Sequence, residues 1–538
     1  MINLPLILFA LLLFGTALSY FVAARRPRAT YHTAFAVVGT GLVVWLALGQ
    51  QLPQSAQLGD WPQNLFVPTW QWHVDETIWL LSGVLMFVVF SLLLFSAGRL
   101  SVPPDRSISF RWQLNRSEWQ PILILALVVS GLSTIWASTL ATLMISWTLL
   151  AIFWALYLLT TGDLTDDLSS VTKRLFWMLA PLLFAGIAAA VKPVGSDLLD
   201  MGSWSPAAVV AVFLTIMAQM GIMPFVGWRP RTAHWRPADG PVLYLIPPLV
   251  GAGLLVRLIA TAHIEPGAIL LLTVFALISI LSGVRRAWAD LRSTARLPAN
   301  LALSLSGLAF LAAIWAGSEA LLAGVQLLVF ALTVLFLLED LPFSRVRWWR
   351  TLAPAVALLA LAGFPLTSGF ITMTSVYSVW LTNTLLVLVL ALVLLLIPLI
   401  TAVLIFLRDH IDTKPAANLQ NGSVTMEVAL LLPAAGLLIL GGMPWSSIHF
   451  AAWLALLVTA AGALLLIRHV GEVQEAVSTV DAALSPDKIP LARYGPAARK
   501  LTRQVMFTLG EAAFILEGDR GLLWLVAFLA ILLFTVSS

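Results

Sequence analysis

Apolar runs of about twenty residues follow one another from end to end of this 538-residue chain. That is the length an α-helix needs to cross the roughly 30 Å hydrocarbon layer of a bilayer. In lipid an unpaired backbone N–H or C=O has no water to turn to, so a spanning segment must satisfy its backbone internally. Continuous rather than alternating apolar runs select the helix over the barrel strand. Only 10% of the residues are charged, against about 25% in an ordinary soluble domain. Hydrophobic residues make up 60%, and the mean hydropathy is +0.96. The expected class is an all-α polytopic membrane protein. There is no cysteine, which excludes disulfides, thiol catalysis, iron–sulfur clusters and Cys-ligated metals.

Apolar segments fall at 2–24, 31–50, 77–97, 119–137, 138–160, 173–191, 205–228, 240–260, 267–287, 299–317, 318–338, 352–382, 383–407, 427–443, 449–467 and 521–537, about sixteen helices. The stretches 119–160 and 299–338 lack a strong separator and are each divided on length alone. The first run has no basic residue before it, and Arg25, Arg26 and Arg28 follow directly. A cleaved signal would carry its charge first, so a retained first helix with an outer N-terminus is expected. The charges then alternate as the positive-inside rule requires. Arg99, Arg106, Arg111 and Arg116, then Lys173 and Arg174, then Arg229, Arg231 and Arg236 fall in cytoplasmic loops. So do Arg285, Arg286, Arg292, Arg296, Arg345, Arg347, Arg350, Arg408, Lys414 and the seven basic residues of 468–520. Of thirty basic residues, only Lys192 and Arg257 fall outside. The expected location is the cytoplasmic (inner) membrane, with both termini outside.

The chain divides into 1–118, holding three helices and an outer loop at 51–76; two five-helix blocks, 119–260 and 267–407; 408–470 with two helices; a connector, 471–519; and a last helix within 520–538. Trp61, Trp70 and Trp72 of the outer loop are expected at headgroup level. The connector is broken by Pro486, Pro490 and Pro496 and carries apolar faces at helical spacing. It reads either as a linker on the membrane surface or as a lateral helix packed on a neighbouring subunit. An odd number of helices per block makes the second block start on the opposite side, which is an inverted repeat. Each block holds one interrupted helix. MAQMGIMPF carries Gly221 and Pro224; ALAGFPLTSGF carries Gly363, Pro365 and Gly369. Proline removes a backbone donor and clashes with the carbonyl four residues earlier. Interruptions at matched places in inverted halves point to a transport path.

LAGFPLTSGF resembles the broken-helix signature of the antiporter-like subunits of respiratory complex I, shared with membrane-bound hydrogenases and Mrp-type cation/proton antiporters. MPFVGWRP agrees, with Pro224, Trp228 and Pro230 in the family's pattern, and Gly240-Pro241-Val242 resembles its Gly/Pro-rich start of the next helix. The resemblance spans about 119–407, and the layout is most similar to the largest of these subunits. It implies two half-channels joined by ionisable residues along the membrane midplane. Those residues are missing here. The family's fifth-helix Glu falls at Thr148, its seventh-helix Lys at Gln219 and its eighth-helix His near Pro247. The basic residue before the tenth helix falls near Ala295, with Arg296 at the cytoplasmic edge; the eleventh-helix Lys falls near Leu332 and the twelfth-helix Lys at Met373. No Asp, Glu, Lys, Arg or His lies near the centre of an expected helix. Thr148, Gln219, Ser304, Ser306, Gln326 and Thr372 can hold water or bond between helices but do not titrate near neutral pH.

The resemblance therefore implies an antiporter-like membrane subunit of a complex I-related energy-converting assembly (NADH or another donor to quinone, coupled to ion translocation), structural or degenerate in proton translocation. Its expected partners are other membrane subunits and the lipid bilayer, not nucleic acid. The alternative is a stand-alone secondary transporter for a neutral or lipidic solute. No catalytic residue, cofactor site or metal site is expected in the chain. Asp60, His73, Asp75 and Glu76 have no metal or acid/base spacing, and Asp163, Asp166 and Asp167 read as a solvated loop.

Overall fold

The computed structural model describes residues 3–26, 29–58, 70–100, 119–161, 168–193, 196–230, 236–291, 296–341, 351–412, 424–439 and 450–470. In chain order the helices are α1 (Leu4–Arg25), α2 (Ala29–Gly49), α3 (Glu76–Leu100), α4 (Gln120–Trp136), α5 (Leu140–Thr161), α6 (Leu168–Val191) and α7 (Pro206–Met220). There follow α8 (Gly240–Tyr244), α9 (Ile246–Thr261), α10 (Pro266–Ala289), α11 (Leu297–Gln326), a π-helical turn at Leu327–Ala331, and α12 (Leu332–Glu339). The last are α13 (Leu352–Leu361), α14 (Ser368–Thr382), α15 (Leu386–Asp412), α16 (Val424–Ile439) and α17 (Phe450–Leu466). The connector 471–519 and the last expected helix lie outside the described residues. Among the described residues, nine helices are long and apolar enough to cross a membrane. The protein is an all-α, multi-pass membrane protein.

Burial grades the helices from centre to rim. The stretch Leu297–Glu339 is the most enclosed, open only around the turn at 315–319, where Glu319 is exposed, and Pro237–Thr261 is nearly as covered. By contrast α1, α2, α10 and α15 leave large apolar side chains on the outside, among them Phe14, Phe21, Val43, Leu270, Val387 and Leu394. So large an exposed apolar surface is unfavourable in water and is what a lipid-facing rim requires. Ordinary hydrophobic exclusion does not hold such helices together; close packing and interhelical hydrogen bonds do. Tryptophan supplies many of those bonds. Trp45 and Trp79 stack at 4.4 Å, and each indole donates to the other's backbone carbonyl, at 2.9 and 2.8 Å. Trp136 donates to Ser82 Oγ (2.7 Å), Trp147 to the Met178 carbonyl (2.9 Å) and Trp288 to the Pro398 carbonyl (2.9 Å).

The two divisions made on length alone are real. A short break at 137–139 parts α4 from α5. Within α11 the chain turns at Gly317 (φ 85°, ψ −164°), and a Cβ on Gly324 would lie 2.9 Å from Ala309 Cα. The two limbs therefore run side by side as a tight hairpin.

The segment 51–76, expected as an outer loop, departs from a simple loop. Gln54–Leu58 (β1) and Trp70–Val74 (β2) pair antiparallel with Ala56 opposite Trp72. Trp72 does not face the surroundings: it is buried, and its indole donates to Ser133 Oγ on α4 at 3.0 Å. Arg257, near the end of α9, fastens the hairpin, donating to the carbonyls of His73, Ile135 and Trp136 at 2.7, 3.3 and 3.1 Å. Trp61 lies outside the described residues.

Candidate functional site

Both interruptions end their first helix in the same way. Gly221 closes α7 in the left-handed region (φ 65°, ψ 40°), its N–H donating to the Ala218 carbonyl (3.4 Å) and that of Ile222 to the Met217 carbonyl (2.9 Å). Gly363, also at positive φ (70°), closes α13, its N–H donating to Ala360 (3.0 Å) and that of Phe364 to Leu359 (2.8 Å). This is the Schellman pattern, which satisfies last-turn carbonyls and favours a residue without a Cβ. The sequence reading puts the breaks at Pro224 and Pro365. The structure ends each helix earlier, at the glycine, because the left-handed turn reverses the chain before either proline is reached. The prolines only forbid an immediate restart.

Beyond that point the two breaks differ. After Pro365, Thr367 caps α14 through its hydroxyl, which accepts from Phe370 N at 3.4 Å. A Cβ on Gly369 would lie 1.7 Å from the Ala360 carbonyl oxygen, so the new half-helix crosses directly over the last turn of the old one. After Pro224 no second half-helix follows among the described residues before the short 3₁₀ turn at Pro237–Asp239. The expected segment 205–228 is helical only to Met220, and residues 221–230 continue as turns.

Those turns fold back and fill the first break. Trp228 Nε1 donates to the Ala218 carbonyl (3.2 Å), and Arg229 Nη2 donates to the Met220 carbonyl and to Ser306 Oγ (3.2 Å each). The guanidinium lies 5.2 Å from the Trp228 ring centre. Met223 N donates to Ser279 Oγ (2.9 Å), and the Tyr244 hydroxyl donates to the Pro230 carbonyl. A cation at a helix C-terminus meets the negative end of the dipole and its orphan carbonyls. The sequence reading counts Arg229 with the solvated loop charges; in the structure it is buried beside the break.

The positions aligned with the family's ionisable residues do not converge on one polar path. Thr148, half-buried on α5, donates to the Met144 carbonyl of its own helix at 2.7 Å. Gln219 is buried in the last turn of α7, its Oε1 without a partner among the described residues. Pro247 is buried in the first turn of α9, and Leu332 opens α12 in full burial. Met373 is buried on α14; a Cβ on Gly363 would lie 2.9 Å from its sulfur. Ala295 lies outside the described residues. Neighbouring hydroxyls are also spoken for: Ser306 donates to Ala302, Thr333 to Val329 and Thr372 to Ser368, at 2.7, 2.6 and 2.9 Å. Such back-bonding to the same helix leaves little to pass a proton onward.

Two features escaped the sequence reading. The π turn Leu327–Ala331 sits against the second break, where a Cβ on Gly369 would lie 3.3 Å from Leu327 Cδ1. No residue type in LLVFA marks it. The second feature is a buried acid. Asp239 closes the 3₁₀ turn Pro237–Asp239 and accepts from the Tyr157 hydroxyl of α5 at 2.7 Å on Oδ1. Close to it in electrostatic reach, Arg99 of α3 pairs with Asp340, which follows α12.

The sequence matches no protein-family model and no curated protein. Solved structures do match. A chain of the Mrp complex from a Dietzia species superposes with a TM-score of 0.70 at 16% identity over 99% of this chain. The match covers 62% of that longer chain. A chain of the membrane-bound sulfane sulfur reductase, an archaeal respiratory membrane complex, superposes with a TM-score of 0.62 at 14% identity, over 83% of this chain and 76% of that one. At such identity the likeness is one of fold: this chain shares the architecture of those two membrane-complex chains.

Proposed function

We propose that the chain is an antiporter-like subunit of a multi-subunit energy-converting membrane complex related to complex I, in which it supplies fold and docking surfaces and moves few or no protons along the family's route. The observation that carries this reading is the first break, where the Trp228 indole and the Arg229 guanidinium donate to the last-turn carbonyls of Ala218 and Met220. In a working path the groups freed by a broken helix serve the transported ion or its water. Here the protein's own side chains occupy them. The non-titratable residues at Thr148, Gln219, Leu332 and Met373 point the same way, since a proton relay needs groups that change charge.

The matched glycine turns at Gly221 and Gly363 support the two inverted five-helix blocks, and the placement of basic residues supports a cytoplasmic membrane with both termini outside. Any electron donor and its redox chemistry then belong to other chains.

Purification of the tagged protein in mild detergent, with native mass and mass spectrometry of what co-migrates, tests the assembly. Other antiporter-like subunits together with a redox arm are the expected companions. A lone chain or a homo-oligomer overturns the reading in favour of an independent transporter for a neutral or lipidic solute. Within the complex, Gln219→Ala and Met373→Ala should leave proton pumping in proteoliposomes unchanged. Loss of pumping with assembly intact refutes the degenerate path.

A further inference from the structure

We propose that Asp239 is a proton-exchange site, a buried carboxyl that takes up and releases a proton at the end of the helix bundle that carries Arg99 and Arg236. This goes beyond the proposed function and does not depend on which subunits accompany the chain.

Three observations meet at this residue. Asp239 is 7% exposed, held in a turn whose own N–H is spent on the Arg236 carbonyl at 2.9 Å. The turn cannot swing outward, because Gly240 is pressed against the Phe336 ring: a Cβ there would lie 2.3 Å from it. One carboxyl oxygen, Oδ1, accepts from Tyr157, while Oδ2 is buried and has no partner among the described residues. An ionised carboxylate offers about four acceptor sites, and this one receives a single neutral donor. Burying a carboxylate so poorly solvated is costly, and a proton on Oδ2 removes the cost without a counter-ion.

The surroundings keep the ionised form within reach as well. Among the described residues, the charged and titratable groups facing Asp239 are Tyr157 from α5, Arg236 just before the turn, Asp340 after α12, Arg99 from α3 and Tyr31 from α2. Arg99 is bound to Asp340, so that pair is close to neutral, and among the described residues Arg236 is the cation left to stabilise the carboxylate. The proton passes between Oδ2 and water at this end, while Tyr157 keeps its O–H on Oδ1 in both states. No other bond changes.

Infrared difference spectra of the full chain in proteoliposomes, with aspartate carboxyls isotopically labelled and pH stepped through the physiological range, test this. The expected result is a titrating protonated-aspartate C=O band that is lost in Asp239→Asn and shifted in frequency in Tyr157→Phe, which removes only the bond to Oδ1. Absence of the band from the wild-type protein, or its full retention in folded Asp239→Asn, overturns the assignment. If Asp239→Asn does not fold, Tyr157→Phe decides: an unshifted band overturns it and a shifted one supports it.

Discussion

At the residue scale, Gly369 of the second break is the most tightly enclosed of the described glycines. Gly369→Ala would drive a methyl into the Ala360 carbonyl, a backbone atom that cannot rotate away. Overpacking a tight contact costs typically about 1–3 kcal/mol, with backbone clashes at or above the top of that range. The melting temperature of Gly369→Ala in detergent should therefore fall well below wild type. Gly267→Ala, where a new Cβ meets nothing within 4 Å, should not lower it. Arg229→Ala should cost about 1–3 kcal/mol by leaving the Met220 carbonyl buried and unpaired, read as a lower melting temperature. These two kinds of residue were not equally legible in the sequence. Gly221, Gly363 and Gly369 stand out because interior glycines in a membrane helix need a backbone reason. Arg229 does not stand out, because its neighbours Arg231 and Arg236 make it look like one more loop charge. Only the fold-back of 221–230 turns it inward.

At the scale of elements, the β1–β2 hairpin carries a pH dependence. His73 of β2 lies with Nδ1 2.9 Å from Ser55 Oγ. Burial first, and then the positive charge of Arg257, hold its pKa below the ordinary 6.5, with Asp75 opposing. The folded state disfavours the imidazolium, and the unfolded chain takes the proton at the ordinary value. The hairpin's contribution is therefore complete above pH 6.5 and is lost as pH falls below it, toward the lowered folded value. Melting temperatures measured from about pH 8 down to 5 should decline more steeply for the wild type than for His73→Gln, since the variant has no imidazole to protonate. The hairpin also marks where sequence reasoning at this scale stops. Helix positions were legible because a span must be apolar and long, and even the turn at Gly317 fell where length alone put it. The strands were not, although Trp70–Val74 alternates apolar Trp70, Trp72 and Val74 with polar Gln71 and His73: the run is short, and its partner Gln54–Leu58 opens with two polar residues. Trp72 was assigned to the interface for its residue type, although its indole is used inside the bundle.

At the scale of the whole molecule, α11 and α12 form an axis. They pack on α3, α9 and α10 on one side, and on α14 and, through the π turn, on α13 and α16 on the other. Hydrogen–deuterium exchange of the detergent-solubilised protein should be slowest across Leu297–Glu339 and fastest in the described parts of α1 and α2, which have the least covered surfaces. Equal protection at rim and axis would contradict the enclosed arrangement. The enclosure also carries a consequence for how the protein is made. α3, α9 and α10 are synthesised before the hairpin, whereas α13, α14 and α16 are synthesised after it. For part of its biogenesis, then, one flank of the innermost element faces lipid with nothing yet to cover it. A charge there would have no partner at that moment, whatever awaited it later. The hydroxyls on this element suit such a schedule: Ser306 and Thr333 bond to their own helix, and Ser304 donates to the Ile280 carbonyl on α10, already in place. The axis of the finished bundle can enter the bilayer with every one of these hydroxyls satisfied before its later neighbours exist.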